Sequence, residues 1–81
     1  MADNLNPESL CRTVAFALNV EEIMVNMDTK QSDLDEWDSF GQIAIIASVE
    51  SKFQISFLAE EFFLFHSVID LFELAKLKGS A

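Results

Sequence analysis

The sequence contains few residues of the kinds that catalytic sites and covalent cross-links need. Among its 81 residues are one cysteine, one histidine and no tyrosine. A nucleophile with its base, or a zinc ion with several Cys and His ligands, requires a larger set of such side chains. We therefore expect no catalytic residues and no metal site. A lone cysteine also excludes an intramolecular disulfide, which fits a reducing compartment, and we expect a cytoplasmic protein.

Glycine and basic residues are scarce as well. With glycine at positions 41 and 79 alone, the chain has no glycine-rich phosphate-binding loop. The acidic stretch that begins at Asp33 does not match a calcium loop, because Trp37 and Ala44 occupy ligand positions. Against five basic residues stand 14 acidic ones, so the formal net charge is −9. That charge repels nucleic acids and anionic lipids and favours partners that carry basic patches.

Long apolar runs are missing too. Runs such as IAIIA at 43–47 and FFLF at 62–65 are too short to span a membrane. The N-terminal stretch MADNLNPESL lacks the basic and apolar regions of a signal peptide. We therefore expect no membrane insertion. Hydrophobic residues still make up 51% of the chain, enough for a compact core, and the length predicts a single domain over residues 1–81.

The apolar residues recur at helical spacing. Capping signals and periodicity predict a first helix over residues 7–19, a second over 39–53 and a last one after Ser67. A short, aromatic-rich helical element is expected around residues 59–65. No strand pattern competes with these helices. The fold prediction is therefore all-α: a four-helix bundle with three main helices, one short helix and a long loop over residues 20–38, whose apolar residues pack on the core.

The second predicted helix is expected to be central, because apolar residues cover more than half of its circumference. The residues predicted to be buried are Phe40, Ile43, Ile45, Ile46, Ala47, Val49 and Phe53. Small residues are left for the exposed face of this helix, namely Gly41, Ala44, Ser48 and Ser51.

A serine stands where the acidic run meets this helix, in the sequence DEWDSFGQI at residues 35–43. In one interpretation Ser39 caps the helix and forms a capping box with Gln42. In the other, Asp38 is the cap and the hydroxyl of Ser39 remains available to carry a group. A phosphodiester on that hydroxyl would lie at the positive end of the helix dipole, beside free N–H groups.

The W-D-S-F stretch at residues 37–40 resembles the attachment motif of acyl carrier proteins, in the W-D-S form found in small discrete carriers. The resemblance continues without gaps from about Leu34 to Leu77, and includes the F-x-I-x-F segment at 53–57 and the Glu60-Glu61 pair. It implies that Ser39 bears 4′-phosphopantetheine, which a phosphopantetheinyl transferase takes from coenzyme A. Acyl intermediates would then be carried as thioesters on that arm.

The resemblance also implies two sets of further site residues and a class of partner. Recognition by the transferase and by partner enzymes would involve Asp35, Glu36, Trp37, Asp38, Phe40 and Glu50. A cavity for the acyl chain would be lined by Phe40, Ile43, Ile46, Ala47, Val49, Phe57, Phe62 and Leu71. The implied partners are acyl-loading enzymes, synthases or acyltransferases with basic docking patches, and the carrier itself is expected to be a monomer.

The chain departs from the family pattern on the outer face of the second helix. Carriers of fatty acid biosynthesis display acidic residues there, whereas Gly41, Ala44 and Ser48 are uncharged. This difference favours a specialised pathway of lipid, polysaccharide-modifying or secondary metabolism. Two alternatives stay open: an aminoacyl or peptidyl carrier on the same fold, and a non-catalytic acidic adaptor in which Ser39 is only a helix cap.

Overall fold

The chain folds as a bundle of helices, in a computed structural model that describes residues 4–79. Within this range the α-helices are α1 (Pro7–Leu18), α2 (Ser39–Phe53) and α3 (Val68–Gly79). The described residues form no strand, and one isolated antiparallel bridge joins Lys30 to Ser67. The prediction of an all-helical fold is confirmed for these residues. The predicted single domain over 1–81 extends past the described residues at both ends and stays a prediction.

Short 3₁₀ turns interrupt the connections between the helices. They span Glu22–Met24 and Gln31–Asp33 in the first connection and Ala59–Glu61 in the second. The sequence predicts a short fourth helix around residues 59–65. That segment contains one 3₁₀ turn followed by further turns, so a fourth helix is not confirmed.

Helix α1 begins at the residue that its sequence signals indicate. Asn6 is the N-cap: its Oδ1 accepts a hydrogen bond of 2.8 Å from the Ser9 N–H, while the Ser9 hydroxyl accepts from the Asn6 N–H at 3.2 Å. This reciprocal pair satisfies two N–H groups that the first turn leaves without a partner. At the other end Asn19 adopts the left-handed conformation with φ 57°, so the helix ends one residue before the predicted boundary.

Helix α2 matches its predicted range of residues 39–53, and it also ends on a residue in the left-handed region. Gln54, the residue after the helix, has φ 56°. Such a conformation is unfavourable for a residue with a Cβ atom by roughly 1–2 kcal/mol. The side chain of Gln54 compensates in part, since its Nε2 donates to the Ser51 carbonyl at 2.7 Å.

Replacing Gln54 with glycine is expected to stabilise the protein by about 0.5–1 kcal/mol, because glycine adopts positive φ without steric cost. The measurement is urea unfolding followed by the fluorescence of Trp37, the single tryptophan. Gln54→Ala is the control: it keeps the Cβ atom and removes the bond to Ser51, so it should give no gain. A glycine variant no more stable than the wild type would contradict this prediction.

The core lies where the three helices meet. Its fully buried side chains come from all of them, and include Leu10, Val14, Ile45, Val49, Val68 and Leu71. The long first connection adds Val25, Leu34 and Trp37, which confirms that its apolar residues pack on the core. Ile23 and Met24 are exceptions, with 87% and 50% of their surface exposed.

The buried stripe of α2 differs from the predicted one in its first half. The predicted burial of Ile45, Ile46, Val49 and Phe53 is confirmed. Phe40, Ile43 and Ala47 are exposed, so the prediction is wrong for these three. Gly41 and Gln42 are buried in their place. The helix is rotated so that one face, which passes through Gln42, Ile45 and Val49, meets the core, because Gln42 finds hydrogen-bond partners there.

An ion pair joins the 3₁₀ turn at Ala59–Glu61 to the last turn of α3. Lys78 Nζ lies 2.5 Å from Glu61 Oε1, and the Leu58 N–H donates to the same oxygen at 2.7 Å. The hydrogen bonds from Lys78 and Leu58 lower the pKa of Glu61. A carboxylate whose pKa is lower in the folded than in the unfolded state stabilises the fold above its unfolded pKa. This contribution disappears as the pH falls through the folded pKa.

We therefore expect Glu61→Gln to be less stable than the wild type near pH 7, and the difference to shrink as the pH falls to about 3. Urea unfolding at a series of pH values measures this difference. Glu60→Gln is the matched control, since it removes the same formal charge from the neighbouring exposed residue. A stability difference between Glu61→Gln and Glu60→Gln that is independent of pH would contradict the prediction.

Candidate functional site

Ser39 is the first residue of α2 and is exposed. Asp38 caps the helix, because its Oδ1 accepts a hydrogen bond of 2.8 Å from the Gly41 N–H and its carbonyl accepts one of 2.8 Å from the Gln42 N–H. The Ser39 hydroxyl has no hydrogen-bond partner among residues 4–79. The interpretation in which Ser39 caps the helix with Gln42 is therefore wrong, and the hydroxyl is free for another use.

The start of α2 offers donors to an anion on this hydroxyl. The N–H groups of Ser39 and Phe40 have no acceptor within the described part of the chain, while that of Gly41 is used by the Asp38 cap. Free first-turn N–H groups carry the positive end of the helix dipole. A phosphodiester on Ser39 therefore fits this position, because the hydroxyl is exposed and the negative charge of the phosphodiester would lie at the positive end of the helix dipole.

The acidic segment before Ser39, residues 35–38, contains both exposed and buried side chains. Asp35, Glu36 and Asp38 are exposed, as a recognition surface requires. Trp37 has only 2% of its surface exposed, so its side chain is not part of the outer surface, and a role in recognition stays a prediction. Its indole packs in the core beside the ring of Phe65, with 6.4 Å between the ring centroids.

Gln42 joins this segment to two other parts of the fold. Its Oε1 accepts a hydrogen bond of 2.5 Å from Trp37 Nε1. Its Nε2 donates to the carbonyls of Phe62 at 2.9 Å and Phe65 at 3.1 Å. Gln42 is 1% exposed, so these bonds lie in the interior and none of its polar atoms is unsatisfied. Sequence reasoning missed this residue; its place on the face shared with Ile45 and Val49 was the available signal.

Gly41 fixes how closely the acidic segment approaches α2. A Cβ atom at this position would overlap the carbonyl oxygen of Glu36 and lie 2.8 Å from Leu18 Cδ2. The prediction that Gly41 belongs to the exposed face of α2 is wrong, because the residue is buried under that carbonyl. The absence of a side chain lets the chain before Ser39 lie directly on the helix.

The eight residues predicted to line an acyl cavity are divided between the core and the surface. Ile46, Val49, Phe57 and Leu71 are buried in the core cluster, and Phe62 is partly buried against it. Phe40, Ile43 and Ala47 are exposed, so a role in lining an interior cavity is wrong for them. Phe40 is exposed over 87% of its surface, which leaves it available for contact with a partner.

A groove of about 800 Å³ runs between α1 and the second half of α2. Ala15 and Phe16 of α1 line it on one side, and Ser48 and Ser51 of α2 on the other. Among the residues predicted for the acyl cavity, Ala47 alone contributes to its lining.

Glu50, predicted as a partner contact, has a role inside the fold. Its side chain is partly buried, and Oε2 accepts a hydrogen bond of 2.8 Å from the Phe57 N–H. This bond ties the chain that follows α2 back to the helix. The exposed face of α2 is consequently less acidic than the sequence alone indicates.

The remaining candidate side chains lie apart from Ser39. Cys11 is partly buried, and burial raises the pKa of its thiol. His66 is exposed, with Nδ1 at 3.3 Å from Gln31 Oε1. Across residues 4–79 no three His, Cys, Asp or Glu side chains are grouped so that they could hold a metal ion. Every helix in this range is too short or too polar to cross a membrane.

Fold and site together define a small helical domain that presents the unbonded hydroxyl of Ser39 at the start of α2, beside an exposed acidic segment. The prediction that α2 is the central helix is not confirmed, because α1 is the helix that packs closely against both of the others. Compared with models of protein families, with curated proteins and with solved structures, the chain has no match.

Proposed function

We propose that this protein is an acyl carrier protein, which holds acyl intermediates as thioesters on a 4′-phosphopantetheine arm attached to Ser39. The observation that carries the proposal is that Asp38, and not Ser39, caps α2. Asp38 caps the helix, so the exposed hydroxyl of Ser39 is not needed for folding. The resemblance of the W-D-S-F stretch to carrier motifs supports the same conclusion, as do the three helices and the long first connection.

Attachment requires that Ser39 Oγ bond to the phosphorus of coenzyme A that bears the pantetheine. The pyrophosphate bond breaks, adenosine 3′,5′-bisphosphate leaves, and the hydroxyl proton passes to a base of the transferase. The first-turn N–H groups of Ser39 and Phe40 stabilise the negative charge that the serine then carries. Once attached, the arm supplies the thiol that forms thioesters, and the protein supplies presentation.

The net charge of the protein and the exposed residues near Ser39 also fit a carrier that binds several enzymes in turn. The net charge of −9 would speed encounters with basic docking patches, and Asp35 and Glu36 place exposed charge directly before the serine. Phe40 and Ile43 add exposed apolar surface on α2. Because the outer face of α2 lacks the acidic residues of carriers in fatty acid biosynthesis, we assign the protein to a specialised lipid, polysaccharide-modifying or secondary-metabolite pathway.

The proposal is tested by intact-mass spectrometry after incubation with coenzyme A, magnesium and a broad-specificity phosphopantetheinyl transferase. The wild type is expected to gain the mass of one phosphopantetheinyl group, and Ser39→Ala none. Ser51→Ala is the matched control, since it removes another exposed serine hydroxyl of the same helix and should be modified like the wild type. An unmodified wild type would overturn the proposal and favour the acidic adaptor.

The class of cargo is decided in a second step. The loaded protein is offered to an acyl-loading enzyme and to an aminoacyl-adenylating enzyme, and the thioester formed is identified by its mass. We expect acyl groups to be accepted. Exclusive aminoacylation would instead identify a carrier of amino acids or peptides on the same attachment site.

A further inference from the structure

We infer that Trp37 and Gln42 are positioning residues for the modification of Ser39, an inference that rests on the proposed function. Their side chains hold residues 35–38 in one place ahead of the serine, so that a transferase meets the acidic groups and the hydroxyl in a fixed arrangement. Neither side chain touches the hydroxyl, since Trp37 and Gln42 are buried and Ser39 is exposed.

The inference starts from how few contacts anchor this segment. The side chains of Asp35 and Glu36 are exposed and form no hydrogen bond or ion pair within the described part of the chain. The backbone contributes one turn bond of 3.1 Å, from the Trp37 N–H to the Leu34 carbonyl. Trp37 is therefore the main anchor between Leu34 and the Asp38 cap.

Gln42 determines the position of the Trp37 side chain in the core. The indole N–H donates to Gln42 Oε1, and the amide of Gln42 is itself held by the carbonyls of Phe62 and Phe65. An indole N–H is a single directed donor, so its bond to a fixed acceptor sets the position of the ring as well as its burial. The position of the ring in turn fixes the position of the backbone at the neighbouring residues Glu36 and Asp38.

Loss of this bond should affect binding of the transferase more than the chemical step. If residues 35–38 sample several conformations, only a fraction of the molecules is competent to bind, and the apparent affinity falls by that fraction. The hydroxyl itself stays at the start of α2, because Ser39 belongs to the helix and not to the segment of residues 35–38. We therefore expect a higher KM for the carrier with little change in kcat.

The test compares modification kinetics of the full-length apo protein for the wild type, Gln42→Met and Trp37→Phe. Methionine fills the space of glutamine without its hydrogen bonds, and phenylalanine keeps a ring without the N–H donor. Both variants should show a KM for the carrier raised roughly tenfold and a kcat within about twofold. All proteins are assayed at a temperature where circular dichroism shows them folded, and Trp37→Phe serves if Gln42→Met does not fold.

Val14→Ala is the control for general destabilisation. Val14 is fully buried in α1 and has no predicted part in modification or acyl binding. This variant should lose stability and keep the KM of the wild type. A KM for Val14→Ala that rises as much as that for Gln42→Met would overturn the inference, because the effect would then reflect stability alone.

Hydrogen exchange on the apo protein tests positioning without any transferase. In Gln42→Met, the amides of residues 35–38 should exchange at least about fivefold faster relative to α1 than they do in the wild type. If the wild type is modified but Gln42→Met shows wild-type exchange and KM, the inference fails and the proposed function stands. If the wild type is never modified, the proposed function fails, and with it the role in positioning, whatever the exchange shows.

Discussion

Replacing Gly41 with alanine is expected to destabilise the protein by about 2 kcal/mol, although helix propensity alone predicts a gain of about 1 kcal/mol. The two effects have opposite signs, so the direction of the change identifies the cause. The added Cβ atom would overlap the carbonyl oxygen of Glu36. A backbone atom cannot move aside as a side-chain tip can, so residues 35–38 must shift away from α2.

Urea unfolding of Gly41→Ala, followed by Trp37 fluorescence, measures this loss. The matched control is Ala47→Gly, an exposed site in the same helix, where the cost should be the propensity difference of about 1 kcal/mol. The Trp37 emission of the folded Gly41→Ala variant should also shift to longer wavelength, because displacement of Glu36 exposes the adjacent indole to water. A variant as stable as the wild type, with unchanged emission, would show that the segment does not depend on close approach at Gly41.

The ends of the helices could be predicted from the sequence because local chemistry determines them. Asn6 and Pro7 mark the start of α1, and the hydroxyl of Ser67 accepts from the Asp70 N–H at 3.2 Å at the start of α3, as the sequence indicates. At α2 two adjacent residues, Asp38 and Ser39, both qualify as the cap. Only the structure shows that Asp38 makes the bond, and that choice leaves the serine hydroxyl free.

The orientation of α2 could not be predicted in the same way. A helical wheel ranks positions by apolar character, and by that measure Phe40 belongs inside and Gln42 outside. The structure has the reverse, with Phe40 exposed and Gln42 buried. A buried amide is acceptable only if its partners are present, and two of the three partners of Gln42 come from residues 20 and 23 positions away along the chain. Sequence periodicity carries no information about such distant groups.

The same limitation applies to Trp37 and to the predicted acyl cavity. The motif identifies the position of Trp37 in sequence, but its burial follows from packing against Phe65, which lies in a different segment. The predicted cavity was inferred from a resemblance, and its members prove to be divided between the packed core and the surface. Ser39 is different: the sequence places it at the start of α2 as one of two candidate caps, and the structure confirms that position and shows the residue exposed.

The buried bond between Trp37 and Gln42 should give the largest loss of stability among these predictions. Gln42→Met leaves three groups without a partner: the indole N–H and the Phe65 carbonyl, which are buried, and the Phe62 carbonyl, which is partly buried. Each unsatisfied buried group costs about 1–3 kcal/mol, partly recovered by relaxation, so we expect a loss of about 3–4 kcal/mol. Trp37→Phe removes the donor and part of a buried ring, for an expected loss of about 2–3 kcal/mol.

A double-mutant cycle separates this bond from the rest of the packing. The double variant should be more stable than the sum of the two single effects implies, by about 1–2 kcal/mol, because the second substitution no longer breaks a bond. Unfolding is followed by circular dichroism, since Trp37→Phe removes the fluorophore. Val14→Ala combined with Trp37→Phe is the control pair, with Val14 buried in α1, and should be additive within about 0.5 kcal/mol. Equal additivity in both cycles would mean that the indole and the amide are neighbours without energetic coupling, and that packing alone holds the segment before Ser39.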